Sequence, residues 1–162
     1  VQLAKYFGTT VTAVCNTKNA ALVQSLGADV VIDYIQEDFT QTDQTFDFVF
    51  DAVGKSSFGQ CKPLLREKGI YISTELGKNS ENIFLALTAS LSRGKKVLFP
   101  IPKTSKDDVV FLKELIVSGR FKPVIDRRYP LAEIVDAYRY VETGQKTGNV
   151  VITVWPAVFP VV

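Results

Sequence analysis

Histidine is absent from the 162 residues of this chain, and cysteine occurs only twice. Without histidine, the chain cannot build Ser-His or Cys-His nucleophile pairs, or any zinc site that needs an imidazole ligand. Cys15 and Cys61 show no motif spacing, so we interpret them as buried thiols of a protein from a reducing compartment. Neither histidine chemistry nor a disulfide framework is therefore expected.

Long apolar runs and a strong net charge are also absent. No apolar segment reaches the roughly 20 residues that span a bilayer, and no basic segment followed by an apolar core opens the chain. The net charge is only +2, so no global field points to nucleic acid or to an anionic membrane. We expect a cytoplasmic or organelle-matrix protein whose partner is a small-molecule substrate, not nucleic acid or a membrane.

Short β-branched runs alternate with helical patterns from residue 10 to residue 101. This spacing is typical of βαβ crossovers and predicts an α/β fold with a doubly wound, Rossmann-type parallel sheet. Gly27 and Gly69 are each expected to end a helix just before the next strand. Strands are predicted at 10–15, 29–32, 46–53, 69–73 and 96–101, and helices at 18–26, 56–66 and 81–93.

The pattern changes after Pro100 and Pro102, where we expect a second structural unit to begin. An amphipathic helix follows the polar turn "KTSKDD", and a helix at 132–143 and the strand "NVVITV" come later. We therefore divide the chain into 1–102, 103–154 and a tail at 155–162. The apolar, proline-containing tail is either an extended arm or an oligomer contact.

In open parallel sheets, ligands bind at the carboxyl ends of the strands. Asn16, Thr17 and Lys18 follow the first predicted strand, where a carboxylate would hydrogen-bond ribose hydroxyls and select NAD. No carboxylate is present, and a hydroxyl, an ammonium group and helix N-terminal N–H groups together favour a phosphate dianion. The alternative is an ordinary helix cap beside an exposed lysine.

The ends of the later strands supply the remaining candidates. Tyr34 could lie beside adenine or be a core tyrosine, and Phe99 could wall a nicotinamide ring or pack in the core. The turn after the third strand could let backbone approach a ligand closely or be an ordinary strand-to-helix connection. That turn comprises Asp51, Ala52, Val53 and Gly54, and the fourth strand is followed by Leu76 and Gly77.

Several ordered motifs carry a family resemblance that spans residues 1–154. They are "VQLAKYFGTTVTAVCNTKN", "LVQSLGADVVIDYIQEDF", "FDFVFDAVG" and "FLKELIVSGRFKPVIDRRYPLAEIVDAYRYVETGQKTGNVVITV". With these motifs the chain resembles the medium-chain dehydrogenase/reductase superfamily, also called the zinc-binding alcohol dehydrogenase family, in its quinone oxidoreductase-like branch. The resemblance implies that residues 103–154 are the C-terminal part of a catalytic domain.

The resemblance also implies an activity. It implies a fragment of an NADPH-dependent, zinc-independent reductase that transfers hydride to a quinone, an enone or a related carbonyl compound, and this chain alone is expected to be inactive. Thr17 and Lys18 would hold the 2'-phosphate, Tyr34 would border the adenosine, and residues 51–54 with 76–77 would line the cofactor cleft. A homodimer through the edge strand 96–101 is expected, and no catalytic or metal-binding residue is expected in this chain.

The sequence departs from the family pattern in two respects. Gln145 and Asn149 stand where many relatives carry histidine and lysine, and Gly8 is the only glycine before residue 27. A GxGxxG cradle therefore cannot form, and a sheet of order 3-2-1-4-5-6 would lack its central strand 1. Strands 2 and 4 would lie about 9 to 10 Å apart if nothing moves, too far to hydrogen-bond. Their backbone groups must pair with a replacement strand, close onto each other or meet water, and a second copy, the tail or a companion chain could supply the replacement strand. We expect this chain alone to bind NADPH weakly or not at all.

Two alternatives stay open from the sequence. The chain could be a fragment of a zinc-dependent alcohol dehydrogenase whose metal ligands lie elsewhere. It could be a non-catalytic domain that uses the same scaffold for partner binding or oligomerisation. A methyltransferase is less favoured, because that use of a similar sheet usually needs an acidic residue near Asn16.

Overall fold

The structure is a computed structural model that describes residues 1–74, 81–88, 94–100, 103 and 105–154. The chain forms two compact units, one made of Val1–Ile32 and the segment from Lys106 onward, the other of Asp33–Ser105. The division at residues 102 and 154 that the sequence suggests stays a prediction. No helix in the described ranges has the length and apolar character needed to cross a membrane.

The amino-terminal part of the first unit alternates helices and strands. It contains α1 (Gln2–Tyr6), β1 (Thr12–Cys15) and α2 (Thr17–Ser25), and β2 (Val30–Asp33) ends where the second unit begins. β1 and β2 form a two-stranded sheet. Gly27 ends α2 with φ of +99°, a left-handed conformation that glycine adopts without strain. β1, α2 and β2 match the predicted elements to within two residues, whereas α1 was not predicted.

The carboxyl-terminal part of the first unit contains two helices and a small sheet. Its elements are α5 (Lys106–Val117), β6 (Ile125–Pro130), a 3-10 turn at Leu131–Glu133, α6 (Ile134–Glu142) and β7 (Asn149–Thr153). β6 and β7 are parallel, with a bulge between Ile125 and Arg127. Because these strands are connected through α6, the unit contains a parallel crossover.

The second unit is built on a parallel sheet of order β3-β4-β5. One face of this sheet forms a core in which Tyr71 is fully buried with Val97 and Cys61. On the opposite face Phe48 and Phe50 are each 60% exposed. The elements are β3 (Phe46–Asp51), α3 (Phe58–Cys61), β4 (Leu65–Ser73), α4 (Glu81–Thr88) and β5 (Lys96–Leu98), with a 3-10 turn at Phe39–Gln41.

Two local predictions in the second unit were wrong. The helix expected at 56–66 ends at Cys61, two residues before Pro63, and Leu65 already pairs with β3. Residues between Leu65 and Ile70 bulge out of the ladder, and Lys68, not Gly69, has positive φ. Gly69 is needed for space, because a Cβ there would meet the Arg66 carbonyl oxygen at 2.9 Å.

The sheets divide where the predicted strand order would lack its first strand. Removing strand 1 from a sheet of order 3-2-1-4-5-6 leaves strands 3 and 2 in one group and strands 4, 5 and 6 in another. The two-stranded sheet β1-β2 and the three-stranded sheet β3-β4-β5 correspond to these two groups. Along the described part of the chain, β1 and β3 each pair with another strand on one side only. The tail at 155–162, one candidate for a replacement strand, lies outside the described residues.

The two cysteines have different environments. Cys61 is 1% exposed, as the sequence predicts, and burial raises the pKa of its thiol. Cys15 is only partly buried, because the last residue of β1 lies on an edge strand. The expectation of two buried thiols therefore holds for Cys61 alone.

Candidate functional site

The start of α2 carries the first group of candidate residues. Asn16 has extended backbone angles and caps the helix, its Oδ1 accepting a hydrogen bond from the Asn19 N–H at 3.1 Å. This cap accounts for Asn16 without a ligand. The side chains of Thr17 and Lys18 are exposed in the first turn.

The chemistry of this first turn fits a phosphate group. It combines the exposed Lys18 ammonium group, the Thr17 hydroxyl and N–H groups at the positive end of a nine-residue helix. No carboxylate occurs in the first turn. The carboxylate of Asp126 interacts electrostatically with Lys18.

Asp126 is the centre of a polar cluster beside α2. Its Oδ2 accepts hydrogen bonds from the Tyr140 hydroxyl at 2.7 Å and from the Thr147 N–H at 2.8 Å. These two bonds, the Tyr140 bond first, hold the pKa of the Asp126 carboxyl below its usual value, with weaker help from Arg127 and Lys18. The Arg127 guanidinium lies over the Tyr140 ring at 3.6 Å from its centroid.

The two positions that depart from the family pattern have local structural roles. The Asn149 side chain donates a hydrogen bond to the Val124 carbonyl oxygen at 3.1 Å, beside the backbone bond between the same residues at 2.8 Å. The Gln145 N–H donates to the Thr143 hydroxyl at 3.3 Å, and the Gln145 side chain is exposed. Asn149 thus helps to join β7 to the residues before β6.

Asp51 organises the second group of candidates, at the carboxyl end of β3. It is 8% exposed, and its Oδ1 accepts hydrogen bonds from the N–H groups of Val53 and Lys55, both at 3.3 Å. Its Oδ2 accepts from the Ser56 N–H at 3.0 Å and from the Tyr71 hydroxyl at 3.1 Å. The carboxylate therefore holds the turn that follows the strand.

The turn held by Asp51 exposes its own residues to solvent. Ala52, Val53 and Gly54 are exposed, and Gly54 has φ of +64°. The Thr74 hydroxyl donates to the Ala52 carbonyl oxygen at 3.2 Å, which joins the ends of β3 and β4. A ligand can thus approach the backbone at 52–54, while the Asp51 side chain is already engaged within the protein.

The remaining candidates vary in accessibility. Tyr34, directly after β2, is 53% exposed, so it is not a core tyrosine within the second unit. Phe99, directly after β5, is half-buried. Leu76 and Gly77 lie outside the described residues. The structure thus brings Asp51 and the turn at 52–54 together, and it leaves Tyr34 open to a ligand.

The buried hydroxyl and thiol groups near Asp51 are unsuited to proton transfer with a ligand. Tyr71 has no exposed surface, and burial, followed by the negative charge of Asp51, raises the pKa of its hydroxyl. The Cys61 thiol lies 3.1 Å from the Ser56 hydroxyl. Across the residues that the structure describes, no three His, Cys, Asp or Glu side chains are grouped to hold a metal ion.

The sequence did not predict the hydrogen bonds that hold the candidate site residues in place. An aspartate at a strand end followed by a small-residue turn is a local signal for a side-chain-to-backbone acceptor such as Asp51. Tyr71 gave no such signal, since its partner lies on another strand. The Thr147 hydroxyl donates to Asn19 Oδ1 at 3.0 Å across 128 positions, and no sequence pattern predicts that contact.

Comparison with known proteins gives consistent matches along most of the chain. Residues 26–152 match the family profile described as zinc-binding dehydrogenase. The chain is 35% identical over 157 residues to the chloroplastic NADPH-dependent alkenal/one oxidoreductase of Arabidopsis thaliana, covering 94% of this chain and 36% of that protein. It is 31% identical to the chloroplast envelope quinone oxidoreductase homolog of the same plant, covering 94% and 47%.

A solved structure shares the fold. The quinone oxidoreductase from Coxiella burnetii superimposes with a TM-score of 0.80 at 28% identity, covering 96% of this chain and 48% of that one. The predicted fold class, a doubly wound α/β sheet of the dehydrogenase type, is confirmed by this likeness. The chain spans less than half of the length of each of these three proteins.

Proposed function

This chain belongs to the zinc-binding dehydrogenase family, in its quinone oxidoreductase-like branch, and from that premise we propose that it forms part of an NADPH-dependent reductase. The family membership confirms the resemblance seen in the sequence. The substrate class that we propose is a quinone, an enone or a related carbonyl compound. It is drawn from the names of relatives that are NADPH-dependent alkenal/one and quinone oxidoreductases.

The observation that supports NADPH, in place of NADH, is the first turn of α2. Thr17 and Lys18 are exposed there, and no carboxylate occupies the turn that would otherwise accept hydrogen bonds from ribose hydroxyls. We propose that these two side chains, with the first-turn N–H groups, bind the 2'-phosphate. Asn16 contributes by capping the helix rather than by contacting the ligand.

We propose that residues of the second unit bind the cofactor without acting as a general acid or base. Tyr34 would border the adenosine, and the backbone at 52–54 would approach the cofactor. Phe99, Leu76 and Gly77 keep their predicted place beside it. NADPH supplies the hydride when bound, and this chain's residues orient it and exclude water. Asp51 keeps its turn in one conformation, so little ordering is needed on binding.

A zinc-dependent alcohol dehydrogenase is the alternative enzyme. Within the described ranges no cluster of potential ligands could hold a metal. Such an enzyme would therefore take its zinc ligands from outside these residues. Metal analysis of a form that includes the rest of a dehydrogenase would distinguish this alternative from a zinc-independent reductase.

Partners and location are proposed from the same premise. We propose a homodimer that pairs through the edge strand predicted at 96–101, of which Lys96–Leu98 form β5. A single species of monomer mass at all concentrations in sedimentation would contradict it. We propose a cytoplasmic or organelle-matrix setting, and some relatives are named as chloroplastic or mitochondrial.

A calorimetric titration tests the proposed function. NADPH and NADH are titrated into this chain and into a form extended at its amino end through a strand and a glycine-rich loop. We expect only the extended form to bind, with a preference for NADPH of more than about tenfold, or 1.4 kcal/mol. Binding of neither nucleotide by either form would contradict the proposal and favour a partner-binding domain. Micromolar binding by this chain alone would contradict the need for the loop.

A further inference from the structure

Thr147 links the two ends of the first unit. Its hydroxyl donates a hydrogen bond to Asn19 Oδ1 at 3.0 Å, and its N–H donates to Asp126 Oδ2 at 2.8 Å. Both bonds are partly buried, which shields them from competition with water. Thr147 therefore holds the first turn of α2 on one side and β6 on the other.

The segment that presents Thr147 lies against the residues before β6. Gly144 and Gly148 have φ of +68° and +97°, so the chain turns sharply on both sides of Thr147. A Cβ on Gly148 would meet the Val124 carbonyl oxygen at 2.6 Å, which shows how closely the segment approaches the residues before β6. Thr147 thus lies next to this close backbone approach, and its hydroxyl and N–H are held by the bonds to Asn19 and Asp126.

The acceptor of the Thr147 hydroxyl lies next to the proposed phosphate-binding residues. Asn19 directly follows Lys18, and its own N–H donates to the side chain of the cap, Asn16. Fixing the Asn19 side chain therefore restrains the turn that carries Thr17 and Lys18. The Asp126 carboxylate, which interacts with Lys18, is restrained by the same Thr147 through its N–H.

We propose that Thr147 is a positioning residue that aligns the first turn of α2 and thereby determines the preference of the site for NADPH over NADH. The inference rests on the proposed function, since it concerns the same ligand. Thr147 acts through Asn19 and is not assigned a contact with the nucleotide. A dianion held by one ammonium group and short hydrogen bonds is sensitive to such alignment, whereas a ribose hydroxyl is much less so.

A pair of matched variants tests the proposal. Thr147→Val keeps the shape of the side chain and the N–H bond to Asp126 but removes the hydroxyl, while Thr147→Ser keeps the hydroxyl. NADPH and NADH are titrated into the extended form of each variant. We expect Thr147→Val to reduce the NADPH preference roughly threefold to tenfold, the effect of losing one hydrogen bond. The serine variant should keep the preference of the unmodified protein.

A second substitution separates positioning from a general loss of stability. Asn19→Ala removes the acceptor of the same bond, so the double variant with Thr147→Val should lose no more preference than the larger single effect. Amide exchange in the unliganded chain gives a readout without nucleotide. Thr147→Val should speed exchange of the Asn19 N–H, while the amides of β4 in the second unit stay unchanged.

The outcomes are distinct. An unchanged NADPH preference in Thr147→Val, with the unmodified protein preferring NADPH, would overturn the role of Thr147 and leave the proposed function standing. Additive losses in the double variant would also overturn it. Absence of any NADPH preference in the unmodified extended form would instead overturn the proposed function. It would also overturn the role of Thr147 in cofactor preference.

Discussion

Replacing Asp51 by asparagine removes a charge and one acceptor atom from a buried site without changing its size. Oδ1 accepts two backbone N–H groups, and Oδ2 accepts the Ser56 N–H and the Tyr71 hydroxyl. In either orientation, the new amide group would point its own hydrogens at two of these donors. The Tyr71 hydroxyl can rotate to accept, but at least one backbone N–H loses its partner.

The size of the effect follows from these contacts. A buried donor without an acceptor costs about 1–3 kcal/mol, and the remaining bonds lose the added strength that the charge gave them. We therefore expect Asp51→Asn to destabilise the second unit by about 2–4 kcal/mol. The turn at 52–56 should open first, because three of the four bonds hold its backbone.

Native-state amide exchange measures this prediction within one unit of the protein. We expect the β4 amides to exchange roughly thirtyfold faster or more in Asp51→Asn, and those of 53, 55 and 56 to lose protection. Asp47→Asn is the matched control on the same strand. Its 2.7 Å ion pair with Arg66 is exposed, so it should cost less than about 1 kcal/mol. Equal protection in the Asp51 and Asp47 variants would show that the bonds to Asp51 do not stabilise the second unit.

Two further predictions concern Tyr71 and Gly148. The pKa of Tyr71 is raised in the folded protein, so its contribution to stability is complete below the ordinary tyrosine pKa of about 10 and declines as pH rises from there towards the folded pKa. In urea titrations between about pH 9 and 11, Tyr71→Phe should therefore lose stability less steeply with pH than the unmodified protein. Equal slopes in the two proteins would contradict this expectation. Gly148→Ala should destabilise by more than about 2 kcal/mol because its Cβ would collide with Val124. Gly144→Ala, which shares the positive φ but has open space, should cost about 1 kcal/mol in the same denaturation assay, and similar losses in both variants would count against the collision.

The strands and most helices were predictable because their signals are local. β-branched runs mark β1, β2 and β3 to within two residues, and Gly27 marks the end of α2. The strand order and the absent glycine loop predicted a gap between strands 2 and 4 but not its outcome, and β1-β2 and β3-β4-β5 are separate sheets. These signals lie within each segment, so they do not depend on partners that are distant in the sequence.

The failures have a physical reason in the partners of each segment. Residues 62–66 continue a helical apolar pattern, but Leu65 pairs with Phe46 of β3, and that tertiary contact overrides the local preference. The roles of Thr147 and Tyr71 were equally hidden, because their partners Asn19 and Asp51 are distant in sequence. The positions of Thr17 and Lys18 at the start of α2 were predictable, whereas the contacts that restrain this turn were not.

Substitution of Lys18 by alanine tests whether the first turn of α2 recognises the phosphate that distinguishes NADPH from NADH. The measurement is the ratio of NADPH to NADH dissociation constants in the extended form, with and without Lys18→Ala. We expect Lys18→Ala to lose NADPH affinity by about tenfold or more, while its NADH affinity changes by less than about twofold. Equal losses for both nucleotides, or an unchanged ratio, would contradict this expectation.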